Sequence, residues 1–227
     1  LIEDNSLYLG QDPSSTTSTA EYNLSVGATA LDAVTTGDAN IAIGHDALSA
    51  NTTGSGNIAI GYGAYDNADT EGNNMAIGRD ALGGSINGGE TNIAIGNYSL
   101  DANTSGDLNI GLGYVALTQN STGSSNVGIG NSAMQLNQTG SSNTTLGNNS
   151  MKSSLSSSYN TAVGAEALFD ANRTADTDGY NTALGYNAGN TGTNDITTGN
   201  KNTLLGASTA ASAAAGTNQT IIGYGAS

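Results

Sequence analysis

Polar and apolar positions along this chain repeat in a fixed five-residue order: asparagine, a variable residue, a small residue, a branched aliphatic and glycine. The block recurs as NLSVG, NIAIG, NMAIG, NIGLG, NVGIG, NTTLG, NTAVG, NTALG and NTLLG, with weaker copies at Ser6 to Gly10 and Gln219 to Gly223. Successive block-ending glycines, Gly10 through Gly223, are 17 residues apart except for one interval of 18 and two of 21. A period this short cannot hold a pair of helices and suits one turn of a β-solenoid. The predicted fold is therefore all-β, a parallel β-solenoid or β-roll of about thirteen 17-residue coils. It forms one repeat domain over 1–227, with regular coils over 1–164, longer loops over 165–206 and a terminal coil over 207–227.

Two apolar columns flank the small one. The residue before each glycine is branched (Leu9, Val26, Ile43, Ile60, Ile129, Val163, Ile222), and two positions earlier stand Leu7, Leu24, Ile41, Ile58, Met75, Ile93, Ile110 and Val127. A spacing of two puts both on one strand face, expected to fill the coil interior. The small column between them (Ala42, Ala59, Ala76, Gly111) is then expected to face outward, where another chain can approach. In the later coils Thr144, Thr161, Thr182, Thr203 and Thr220 take over the first column and are expected to point inward with it. Four residues after the glycine a further apolar column, Leu31, Leu48, Tyr65, Leu82, Leu100, Leu117, Met134, Met151 and Leu168, predicts a second, shorter strand. The remainder is turn chemistry such as NTTG at 51–54 and NQTG at 137–140.

Asparagine opens the strand at Asn23, Asn40, Asn57, Asn74, Asn92, Asn109, Asn126, Asn143, Asn160, Asn181 and Asn202. Stacked coils would superpose these amides at about 4.8 Å and let them hydrogen-bond along the axis, giving a rod of roughly 57 Å. This structural ladder accounts for the asparagines without a ligand.

The repeat resembles the repeat regions of bacteriophage tail-fibre proteins, and is similar to the left-handed β-roll heads of trimeric autotransporter adhesins. The resemblance covers nearly the whole chain and rests on the N-x-A-I-G blocks, the x-x-A-L segment and the NTTG-like turns. It implies a parallel homotrimer with the small-residue faces near the three-fold axis, joined to neighbouring fibre or virion proteins. The adhesin pattern has a shorter period, so the details of that roll need not carry over. The implied role is a structural and adhesive fibre segment of a virion, extracellular, presenting a surface to a host glycan or protein. The alternative is the head of a bacterial adhesin on the cell surface.

Composition narrows the partners. A net charge of −15 with only Arg79, Lys152, Arg173 and Lys201 basic leaves no patch to neutralise phosphates, so no nucleic acid is expected. No apolar run approaches the roughly 20 residues of a spanning helix, so no membrane insertion is expected. No enzymatic activity, cofactor or metal is expected. His45, the only histidine, is expected to be a surface turn residue. The glycines lack the Lys-Ser/Thr of a phosphate loop. Asp12, Asp46 and Asp80 alternate with Asp32, Asp66 and Asp101 between two columns, which spaces like charges two coils apart on a solvated face. The first long insertion holds the candidate recognition loop: Phe169, Asp170, Arg173, Asp176, Asp178 and Tyr180. Tyr62, Tyr114, Tyr186 and Tyr224 follow repeat glycines and could stack on sugars or pack between chains. An ice-binding solenoid and a glycan-degrading spike are the remaining classes. The first needs a flat outward Thr array, and the second needs paired carboxyls roughly 5–9.5 Å apart.

Overall fold

The computed structural model describes residues 2–3, 5–10, 19–84, 87–171, 178–192 and 195–227. Fourteen strands form one sheet in chain order: β1 (Ile2–Glu3), β2 (Ser6–Gly10), β3 (Leu24–Gly27), β4 (Ile41–Ile43), β5 (Ile58–Ile60), β6 (Met75–Ile77), β7 (Ile93–Ile95), β8 (Ile110–Leu112), β9 (Val127–Ile129), β10 (Thr144–Leu146), β11 (Thr161–Val163), β12 (Thr182–Leu184), β13 (Thr203–Leu205) and β14 (Thr220–Ile222). β1 folds back antiparallel on β2, and every later pair is parallel. The parallel β-solenoid expected from the period is thus the observed architecture. The longer intervals leave the register intact: Met75 pairs with Ile93 and Thr161 with Thr182.

Glycine is required at each coil corner. Gly44 has φ +134°, and a Cβ there would lie 2.3 Å from the carbonyl oxygen of Gly61, the corner of the next coil. The same collision recurs along the rod, so the corners are where stacked coils come closest.

Three expectations about the coil interior are corrected. First, the small column faces inward: Ala42, Ala59, Ala76 and Ala94 are fully buried. The branched residues on either side, Ile41 and Ile43 for example, are only half-buried and face out. The interior is too narrow for two aliphatic columns plus the leucine column opposite; a Cβ on Gly128 would already lie 3.1 Å from Leu117 Cγ. Where the leucine column shrinks to Gly189 and Ala210, the strand-centre residue grows to Leu204, buried to 1% exposure, and Ile196 fills in beside Gly189. Second, the Thr column points out: Thr144, Thr161, Thr182, Thr203 and Thr220 are all exposed.

Third, the leucine column is not a strand. Residues 45–50 form a turn run in which Leu48 has φ +51°, and Leu31, Tyr65, Leu82, Leu100, Leu117, Met134, Met151 and Leu168 share that left-handed conformation. β-branched side chains are poorly tolerated there, and none occurs among these nine residues. Residues unbranched at Cβ therefore hold this column, while the strands carry Ile and Val alongside Leu and Met. Backbone bonds still join the turns of successive coils, as from Leu48 N–H to the Ala64 carbonyl at 3.1 Å.

The asparagine ladder exists, with a geometry richer than stacked amides. Asn40 Oδ1 accepts from the backbone N–H of Asn57 at 2.9 Å, and Asn40 Nδ2 donates to the Gly54 carbonyl at 2.9 Å. Most of these amides thereby clasp both ends of a short segment of the next coil, while Asn160 Nδ2 turns instead to Ser157 Oγ and Ser158 of its own coil. Satisfying these buried groups inside the tube avoids a desolvation cost of about 1–3 kcal/mol per orphaned partner. Only from Asn143 onward do side-chain amides also meet directly, as from Asn143 Nδ2 to Asn126 Oδ1 at 3.1 Å.

Leu117→Ile is expected to destabilise by about 1–3 kcal/mol through strain in the left-handed region. Leu117→Met, already the residue one coil on, should cost under about 1.5 kcal/mol. Chemical denaturation of the two variants checks the order, and equal losses would contradict this account of the column.

Candidate functional site

The most extended surface feature is the outer face of the sheet. With Ala inside, each strand from β4 to β9 presents two aliphatic side chains to solvent, giving two parallel rows at the strand spacing. Leu9, Leu112, Leu146, Leu184, Leu205 and Ile222 are between 40% and 66% exposed. From β10 onward one row changes to threonine while the other stays aliphatic. Apolar surface this continuous is uncommon on monomeric proteins.

A second feature is a ridge of side chains just past the corner glycines. His45 stacks on Tyr62 with ring centroids 5.4 Å apart, and the Arg79 guanidinium carbon lies 5.7 Å from the Tyr62 ring centre on the next coil. Tyr98 and Tyr114 meet edge to face at 6.2 Å. His45 is half-exposed, as a surface turn residue should be, and its Nδ1 lies 2.7 Å from Asp46 Oδ2. Because Tyr62 has neighbours above and below along the rod axis, what it offers a ligand is its ring edge and hydroxyl.

Beside this ridge the carboxylates alternate as the spacing suggested, but the stagger reduces their repulsion without removing it. Burial holds the Asp66 carboxyl above its ordinary range, and Asp80, Asp46 and Asp101 push it the same way. Asp101 is raised by burial and then by Asp80. Among the described residues no group of three or more His, Cys, Asp or Glu side chains is placed to hold a metal ion. Asp12 lies outside the described residues.

Of the expected recognition loop, Phe169, Asp170, Asp178 and Tyr180 are described, while Arg173 and Asp176 lie outside the described residues. Phe169 sits half-buried with the Lys152 ammonium 5.9 Å from its ring centre. Tyr180 stacks flat on Tyr159 with centroids 4.9 Å apart, and its hydroxyl donates to Asp178 Oδ2 at 3.3 Å. The structure joins Asp178 to Tyr180 and places Phe169 at the other end of the insertion. Asn51 and Asn103, which begin N-x-S/T triplets, are fully buried turn residues.

One buried carboxylate was missed by the sequence reasoning. Glu71 is 5% exposed and stands where neighbouring coils carry Gly54 and Gly89. It accepts from the backbone N–H groups of Asp69, Thr70 and, at 2.9 Å, Gly88. Gly88 belongs to the coil with one extra residue, so Glu71 ties that enlarged turn to its neighbour. Tyr65 fills the leucine position nearby, accepts a hydrogen bond from Asn74 Nδ2, and is held well above the ordinary phenol range by burial first and Glu71 second. A carboxylate in a Gly-rich column, three residues before the ladder asparagine, was the available signal.

No protein-family model matches this chain, and neither the curated proteins nor the solved structures contain a match. Among the described residues no helix is long and apolar enough to cross a membrane.

Raised carboxyl pKa values in the folded state mean that protonation favours folding. Stability associated with Asp66 and Asp101 should be greatest in acid and fall as pH rises through their folded values. Asp66→Asn and Asp101→Asn are each expected to raise the Tm by about 1–3 °C at pH 7, a modest gain because both groups are partly solvated. The gain should vanish in acid, where the wild-type carboxyls are neutral. Thermal melts across pH check this, and a gain that persists in acid would contradict it.

Proposed function

We propose that this chain is a structural and adhesive fibre segment, a rod that spans distance and associates with two further copies along its outward aliphatic face. The observation that carries the proposal is that face: two rows of partly exposed Ile, Leu and Val in β4–β9, held in register by the parallel ladder. A one-sided apolar sheet gains most by covering that side. The small-residue faces implied by the resemblance are enclosed within each coil, so the aliphatic rows take their place in the packing between chains. The ridge at His45 to Tyr114 and the insertion ends at Phe169 and Tyr180 remain available for contact with a host glycan or protein. The likeness of the N-x-A-I-G repeat to phage tail-fibre repeats supports a virion location, with a bacterial surface adhesin as the alternative. A virion-attachment region in flanking sequence would favour the first, and a membrane-anchor barrel the second.

Light scattering or sedimentation equilibrium is expected to give a mass three times that of the chain. Ile60→Ser combined with Ile95→Ser, both outward, should shift the protein to monomer while the far-ultraviolet spectrum stays unchanged. A monomeric wild-type protein would overturn the association.

The exposed threonines favour a second reading. Thr144, Thr161, Thr182, Thr203 and Thr220 form an outward, in-register hydroxyl row of the kind an ice-binding surface requires. Thermal hysteresis in purified protein would support it. Its absence, with a trimeric mass, would leave the fibre reading alone.

A further inference from the structure

Inside the coil, opposite the strands, a second amide ladder runs through Asn103, Asn120 and Asn137, and the next position holds Ser154. Asn120 Nδ2 donates to Asn103 Oδ1 at 2.9 Å, and Asn137 Nδ2 donates to Asn120 Oδ1 at 2.7 Å. The same nitrogens donate to the Gly123 and Gly140 carbonyls at 2.9 and 3.0 Å, which settles which end of each amide is nitrogen. Asn137 Oδ1 is therefore aimed at position 154, where a serine is too short to continue the ladder. Asn137 Oδ1 and Ser154 Oγ are both fully buried, and neither has a hydrogen-bond partner within the protein.

The glycine three residues after each ladder asparagine explains how this break is built. A Cβ at Gly106, Gly123 or Gly140 would fall 2.6, 2.5 or 2.5 Å from the Oδ1 of Asn103, Asn120 or Asn137. The amide excludes any side chain there. In the next coil Ser157 occupies that place, and its Oγ accepts from Asn160 Nδ2 at 2.7 Å. Asn-x-x-Gly has been exchanged as a unit for Ser-x-x-Ser, which removes the amide and leaves Asn137 Oδ1 and Ser154 Oγ as buried polar atoms without a partner in the protein.

We propose that one ordered water molecule bridges these two atoms, donating to Asn137 Oδ1 and hydrogen-bonding Ser154 Oγ in place of the missing amide. Exchanging Asn for Ser removes two heavy atoms, and a bound water has a share of volume of roughly 30 Å³ and needs two to four polar partners. Asn51 Oδ1 is also buried and unpartnered, but its successor is Ala68, which supplies no second polar group. The water is therefore assigned to the Asn137 site.

A high-resolution crystal structure of the wild-type chain is expected to show a density peak within hydrogen-bond distance of both Asn137 Oδ1 and Ser154 Oγ. No peak, or Ser154 Oγ turned directly onto Asn137 Oδ1, would overturn the proposal. Ser154→Asn alone should lower the Tm, because the new amide meets the Ser157 side chain. Adding Ser157→Gly should restore it, extend the ladder, expel the water and slow amide exchange in this coil about five-fold. A single variant as stable as the double would count against the proposal. If neither variant folds, the wild-type density decides.

Discussion

Close stacking of backbone on backbone is the constraint on which the structure depends. Each coil must lie one strand spacing from the next, and at the corners a glycine carbonyl stands where a Cβ of the preceding coil would be. That contact explains why the corner residue never varies. It also explains why insertions appear only between blocks. The chain gains residues between blocks, as between Thr161 and Thr182, while the strands remain paired residue for residue.

Once the coils are that close, the interior becomes a narrow tube with strict demands. It accepts one small column from the strands, one leucine column from the turns and two rows of amides. The strand-opening asparagines do more than fill space, because most hydrogen-bond two points on the following coil, as Asn40 does, and so resist slippage along the axis. Places where the pattern changes show the same logic: Leu204 enlarges where the turn column becomes small, Glu71 caps the turn with the extra residue, and Ser154 and Ser157 change together. Coil-by-coil compensation fits a repeat architecture in which each unit touches only its neighbours.

The narrow tube also creates the outer aliphatic face. Bulky aliphatics excluded from the interior must face out, and the repeat lines them up on one side of one sheet. The exposed aliphatic face on which the proposed association rests thus follows from the same packing that makes the coil, and the charged and aromatic ridge lies just past the corner glycines. The carboxylates there are staggered yet still crowd one another, and burial together with that crowding holds Asp66 and Asp101 above the ordinary carboxylate range.

The period, the all-β class, the parallel stacking, the corner glycines and the asparagine ladder were legible in the chain, because an interval of seventeen residues with one invariant glycine admits few other architectures. Which face of each strand points inward was not. Alternation separates Ala42 from Ile41 and Ile43 but is silent on the sign, and only the width of the folded tube, set by the leucine column opposite, decides it. The left-handed turn at Leu48 was hidden for a related reason, since its aliphatic spacing imitates a strand and the conformation is enforced by neighbouring coils. The ridge from His45 to Tyr114, the capping role of Glu71 and the pair of buried polar atoms at Asn137 and Ser154 likewise exist only where residues 16 or 17 positions apart are brought together. Local sequence determined the repeating unit, and the stacking of those units decided what each side chain meets.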